Sequence, residues 1–254
     1  LNDRGMPLSD SDIFKAQFYK YFSKRGEKDI FIKRWKELEE LTESIFHPLN
    51  GTPMDELFTR YMYYIRAKLG IKSSTTEALR KFYEKDGYAL LKKEDTFNDL
   101  ITLAQFWEDV VNQDKDRFSS RILRRLFVLN YAPNGMWTYA VSVFFMQNKD
   151  AEGLLEEEQF YQFLRKITGF IWTYAVTNPG VNALRTPVYA EMVNIVNGAP
   201  VTFAEYKFEP EKVQSMFGNF TFSNIRPITK SMLAWWAFED EGPELFSLET
   251  VLEI

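Results

Sequence analysis

Four arginines, Arg117, Arg121, Arg124 and Arg125, follow one another at spacings of four, three and one. On a helix, that spacing puts them along one side. A guanidinium presents a planar fork of donors that fits phosphate, so such a row can track a nucleic-acid backbone. It can equally pair with carboxylates such as Glu108, Asp109, Asp114 and Asp116, and a charged row is more often a solvated helix face. A second candidate is Asn2-Asp3-Arg4-Gly5. A glycine turn with open amides beside an arginine suits a phosphate or the surface of a neighbouring domain. The plainer reading is a turn leading into a helix, with a solvated arginine. Lys20, Lys24, Arg25 and Lys28 form a third basic group.

The acidic sets Glu156-Glu157-Glu158 and Glu239-Asp240-Glu241 bring hard cations to mind. Successive carboxylates on a helix point in different directions, and neither set has the glycine-containing alternation of a calcium loop. They read as a helix start, where the dipole favours anions, and a helix exit. His47 is the only histidine and stands beside Pro48. There it meets a helix carboxyl end more readily than a metal or a substrate. Trp235 and Trp236 could stack bases, but they lie among Met232, Leu233, Ala234, Ala237 and Phe238, which points to packing or a domain contact. No phosphate-binding Walker loop, dinucleotide glycine fingerprint or nucleophile elbow is present in the sequence. No catalytic residue, metal ligand set or cofactor is therefore assigned to the chain itself.

The elements that must position these groups are helical. The chain has 254 residues, 45% hydrophobic and 17% aromatic, with 23 Phe and 13 Tyr. That is enough to bury a large core in one domain or two. It has no cysteine, which excludes disulfides and thiolate metal sites and fits the cytoplasm. No apolar run approaches the roughly 18 residues of a membrane span. The net charge of −5 weighs against nucleic acid as the main partner, because a dedicated DNA-binding domain is usually basic.

Periodicity gives an all-α class: an irregular array of about ten amphipathic helices with few or no strands. Ile13, Phe14, Phe18, Tyr21 and Phe22 make one face, and Gly26 ends that run. Phe31, Trp35, Leu38, Leu41 and Ile45 make the next. Ser9 with Asp12, and Ser74 with Glu77, have capping-box spacing. Thr52-Pro53-Met54-Asp55 starts a helix that Gly70 ends. Met136 to Met146 is apolar nearly all round and reads as a buried helix. The segment from Ala199 to Asn224 reads as irregular, and Ile228 to Phe238 as a last helix. Val201–Phe203, Phe220–Phe222 and the terminal segment are the strand candidates. No fixed-period repeat is visible, which argues against a solenoid.

One block carries a family resemblance. Asn2, Arg4 and Gly5, then Leu8, Ser9, Asp12 and Lys15, resemble the end of the amino-terminal domain of GmrSD-type modification-dependent restriction endonucleases. In that family an Asn-x-x-Gly turn precedes a Leu-Ser-x-x-Asp helix start. The closing segment, Ser247 to Ile254, looks like the stretch that leads there into Glu-His-Ile, which opens the His-metal-finger (HNH) nuclease motif. The resemblance implies that residues 1–15 are the tail of an amino-terminal catalytic domain and 241–254 the lead-in to the nuclease domain. Residues 16–240 would be the helical region between them, with a soft boundary at 112–117 or 150–153. It implies a bacterial parent protein that cleaves modified foreign DNA with nucleotide and a divalent metal. The partners of this region would be the flanking catalytic domains, with DNA a further candidate at the arginine row. The Asp-Gly-Gln-Gln-Arg type motif of the amino-terminal domain is not in this sequence. His47 alone cannot supply both histidines of an HNH site. The expected role is a non-catalytic connector, and the alternative is a helical DNA- or protein-binding module.

Overall fold

A computed structural model describes residues 7–177, 185–204 and 206–219, and among these the protein is all-α, with ten α-helices and no strand. The chain divides into two compact units. Leu1–Ile65 with Thr75–Asn112 forms the first, and Arg66–Ser74 with Gln113–Ile254 the second.

The first unit contains α1 (Asp10–Lys24), α2 (Lys28–Ile45), most of α3 (Pro53–Lys68), α4 (Leu79–Tyr88), a 3-10 turn (Ala89–Lys92) and α5 (Glu94–Val111). Its core follows directly from the four-residue repeat of phenylalanines on α1. Phe14, Phe18 and Phe22 are buried and meet rings from α2, α3, α4 and α5. Phe22 stacks on Phe31 at 5.1 Å, Phe18 lies 5.3 Å from Phe97, and Phe14 lies 4.8 Å from Phe58. Trp35 stacks on Phe97 at 6.3 Å. Each such ring pair adds about 0.5–1.5 kcal/mol beyond the area it buries. Arg60 is also enclosed here. Its guanidinium lies between Phe46 and Trp107, 4.3 and 4.2 Å from their ring centroids, and donates to Glu56 at 2.9 Å.

The helix starts at Ser9 and Thr52 are capped as their spacing predicts. Ser9 Oγ accepts from the Asp12 amide while Asp12 Oδ2 accepts from the Ser9 amide. Thr52 and Asp55 make the same reciprocal pair. The expected box at Ser74 and Glu77 is not formed. α4 begins at Leu79, behind Ala78, which makes no side-chain cap, so Glu77 lies outside the helix and takes Lys85 instead, at 2.8 Å. α4 is also interrupted: Lys85 is extended, and Asp86, Gly87 and Tyr88 are left-handed with φ of 52°, 63° and 61°.

The second unit contains α6 (Ser120–Leu129), α7 (Met136–Asn148), α8 (Glu157–Thr177), α9 (Arg185–Val196) and α10 (Pro210–Gly218). α7 is buried from Met136 and Trp137 through Met146 except at Thr138 and Tyr139, because it carries apolar side chains on nearly every face. It packs on α9, while α8 packs on α6 and α10. Phe144 stacks on Phe163 at 4.3 Å and on Phe160 at 5.7 Å. The segment expected to be irregular contains α10, which starts with Pro210 at the first helical position. Val201–Phe203 is not a strand. Phe203 instead stacks on Phe170 of α8 at 3.8 Å, so ring packing rather than strand pairing holds this stretch. The Phe220–Phe222 and terminal strand candidates and the helix at Ile228 to Phe238 lie outside the described residues.

Candidate functional site

The arginine segment straddles the start of α6. Asp114 Oδ1 accepts from the amides of Asp116 and Arg117, which folds residues 114–117 into a turn before the helix. Ser119 then caps α6, accepting from the Ile122 amide at 3.4 Å. Arg117 is therefore not on the helix. Its guanidinium donates to the Gly153 carbonyl and lies 5.8 Å from the Phe145 ring. Arg125 points inward, only 5% exposed, and lies 5.7 Å from the Tyr161 ring. Arg121 and Arg124 remain at the surface, so the four do not form the single row that their spacing suggested. The reason is visible in the neighbours. Ile122, Leu126 and Leu129 are the buried stripe of α6, and Arg125 is in phase with them at i+3.

Arg121 is the centre of a polar cluster at the starts of α6 and α8. Its Nε donates to Glu157 Oε1 at 2.7 Å, and its Nη2 reaches Glu157 Oε2 and, at 2.6 Å, Glu158 Oε2. The guanidinium carbon lies over the Tyr161 ring, 4.0 Å from its centroid. Ser119 Oγ donates to Glu157 at 2.7 Å, and Gln162 donates to Glu158 at 2.7 Å. Hydrogen bonds from Arg121 and Ser119 hold the Glu157 carboxyl below the usual glutamate range. Those from Gln162 and Arg121 do the same for Glu158. Glu156 has a separate task, since its side chain accepts from the Glu158 and Gln159 amides and caps α8. The three glutamates thus form a helix start and an arginine clasp. Among the described residues, no group of three or more His, Asp or Glu is placed to hold a metal ion.

This arrangement bears on phosphate binding. Arg121 faces two carboxylates, so the clasp is net negative and must open before a phosphate could reach the guanidinium. Arg124, half-buried like Arg121, bonds Ser120 Oγ at 3.3 Å. In the first unit, Lys20, Lys24, Arg25 and Lys28 are exposed, and Arg25 donates to Tyr21 Oη at 2.8 Å and Glu94 at 3.4 Å. His47 is exposed, two residues beyond the end of α2. Asn2, Asp3, Arg4 and Gly5 lie outside the described residues, as do Trp235 and Trp236.

Among the buried polar contacts that the sequence did not reveal are those of Glu191 and Tyr61. Glu191, 3% exposed on α9, accepts from Asn194 Nδ2 and from the Thr202 amide, both at 3.2 Å. Tyr61 donates to Asp99 at 2.9 Å within the first unit. Only the Asn194 contact, three residues along the same helix, carries a local signal. No helix among the described residues is long and apolar enough to cross a membrane. Comparison with protein-family models, curated proteins and solved structures finds no match for this chain.

Proposed function

We propose that this chain is a non-catalytic helical connector from a bacterial modification-dependent restriction endonuclease of the GmrSD type, acting in the cytoplasm against phage or other foreign DNA. In this reading an NTP-dependent domain precedes it and an HNH nuclease domain follows it. The parent protein supplies the nucleotide and divalent-metal chemistry, and this chain sets the placement of its neighbours. The observation that carries the reading is the anchoring of the Leu8 to Asp12 block, where the family resemblance lies. Ser11 donates its amide to Asp55 at 2.9 Å, and Arg80 grips both Asp10 and the Leu8 carbonyl. A polypeptide that leads into this block is held against a packed aromatic core, and a close-packed core transmits position.

The natural gene gives the direct test. Codons after Ile254 that encode Glu-His-Ile or a near variant support the connector, and a stop codon there removes it. The purified chain is expected to hydrolyse neither nucleotide nor DNA, and metal-dependent nicking by clean material would overturn that. Measurable DNA affinity at low salt that disappears when Arg121 and Arg124 are both replaced by Glu would favour the nucleic-acid-binding module instead.

A further inference from the structure

Asp55 caps two helices at once. Its Oδ2 accepts from the Thr52 amide at the start of α3, and its Oδ1 accepts from the Ser11 amide in the first turn of α1, each at 2.9 Å. Thr52 Oγ1 and Ser11 Oγ are hydrogen-bonded to each other at 3.1 Å. Arg80 of α4 closes the third side. Its Nε donates to Asp10 Oδ1 at 2.9 Å and its Nη2 to the Leu8 carbonyl at 3.3 Å. Ser11 is 6% exposed, so its amide has little access to water as a substitute partner.

Two helix amino-termini brought together make a natural anion site. Here the anion is supplied from within: Asp55 takes one amide from each helix, and Asp10 occupies Arg80. A charged acceptor facing two helix dipoles makes stronger bonds than a neutral one. The first turn of α1 is thereby tied to α3 and to α4, both remote in sequence.

We infer that Asp55 and Arg80 are positioning residues that make Leu8 to Ser11 a rigid joint, an attachment point fixed to the first unit for a protein module ahead of it. The purpose of the joint rests on the connector reading. Its geometry does not.

The absence of cysteine allows clean labelling. Spin labels are placed on Leu8→Cys, at a position 67% exposed, and on Lys36→Cys, whose side chain in α2 is 75% exposed. The full chain is expected to give one narrow interspin distance distribution. Arg80→Ala should widen it, and Asp55→Ala should widen it about two-fold and speed exchange of the Ser11 amide by about ten-fold. Arg80 has a half-exposed side chain, so Arg80→Ala decides the matter if Asp55→Ala fails to fold. A broad distribution in the parent chain overturns the joint. So does an unchanged distribution in Arg80→Ala with helicity retained. A joint that passes this test stands even if the codons after Ile254 encode no nuclease motif, in which case the connector reading falls alone.

Discussion

Arg121 and Glu157 face each other across the starts of α6 and α8, with two separate guanidinium nitrogens on the two oxygens of one carboxylate. The guanidinium lies over the Tyr161 ring and bonds Glu158 as well. A fork of this kind fixes the angle between two helices more strictly than a single ion contact does.

That clasp should titrate. Both glutamates ionise more readily in the folded chain than in the unfolded one, where the ordinary value is about 4.3. A depressed folded value contributes stability above the unfolded value and loses it as pH falls through the folded value. Arg121→Ala is therefore expected to lower the melting temperature by about 1–3 °C near neutral pH, the small effect of a partly exposed pair. The difference from the parent chain should start to narrow as pH falls below the unfolded value of about 4.3, and it should shrink in high salt. Thermal melts across pH check this, and a difference that persists unchanged in acid would contradict it.

An opposite dependence is expected in alkali. Tyr83 is fully enclosed and donates to the Phe58 carbonyl at 2.6 Å. Burial, with a smaller contribution from Tyr61, pushes its phenol well above the usual tyrosine value. Burial, then Asp99, pushes Tyr61 up as well. Raised folded values leave stability intact below the unfolded value of about 10 and remove it as pH climbs beyond that. Phenolate absorbance should show two of the tyrosines titrating only together with loss of helicity. Tyr83→Phe should soften the alkaline loss while costing about 1 kcal/mol at neutral pH.

Local chemistry was legible in the sequence, and remote pairing was not. The spacing of Phe14, Phe18 and Phe22 revealed the buried face of α1, and Ser9 with Asp12 and Thr52 with Asp55 marked two helix starts, because each signal lies within a few residues. Arg125 was readable in principle. It shares a phase with Ile122, Leu126 and Leu129, yet its charge drew it into a supposed surface row. Glu157 as the partner of Arg121 was not readable, since 36 residues separate them and nothing local selects it over Glu108 or Asp109. Ser74 with Glu77 had the spacing of a box, but the backbone enters the helix four residues later than that spacing required. α10 was overlooked because its nine residues are too few to establish a period amid Pro, Gly and Asn.

Gly70 provides a backbone prediction. α3 ends with the Gly70 amide on the Ala67 carbonyl and the Ile71 amide on the Arg66 carbonyl, a closing motif that needs the left-handed φ of 74° found at Gly70. A Cβ there would meet no atom within 4 Å, so the cost of a side chain is backbone strain alone. Gly70→Ala should destabilise by about 1 kcal/mol and Gly70→Asn by less. Urea midpoints at constant slope measure both, and an unchanged midpoint in Gly70→Ala would mean that the helix ends differently.

Glu191 tests how the stretch after α9 is held. Its carboxylate is buried and accepts from Asn194 on its own helix and from the Thr202 amide beyond it. Glu191 is enclosed but Thr202 is exposed, so water can replace the lost acceptor and its removal costs about 1 kcal/mol. Glu191→Ala should therefore destabilise by that amount and expose the Thr202 amide to exchange. Glu191→Gln keeps an oxygen in place and should recover most of the loss if accepting a hydrogen bond is the role of the group. If both variants lose equally, the charge matters rather than the acceptor. If the Thr202 amide exchanges at the parent rate in Glu191→Ala, the bond from α9 does not hold this segment, and the packing of Phe203, Tyr206 and Phe208 on α8 must do so.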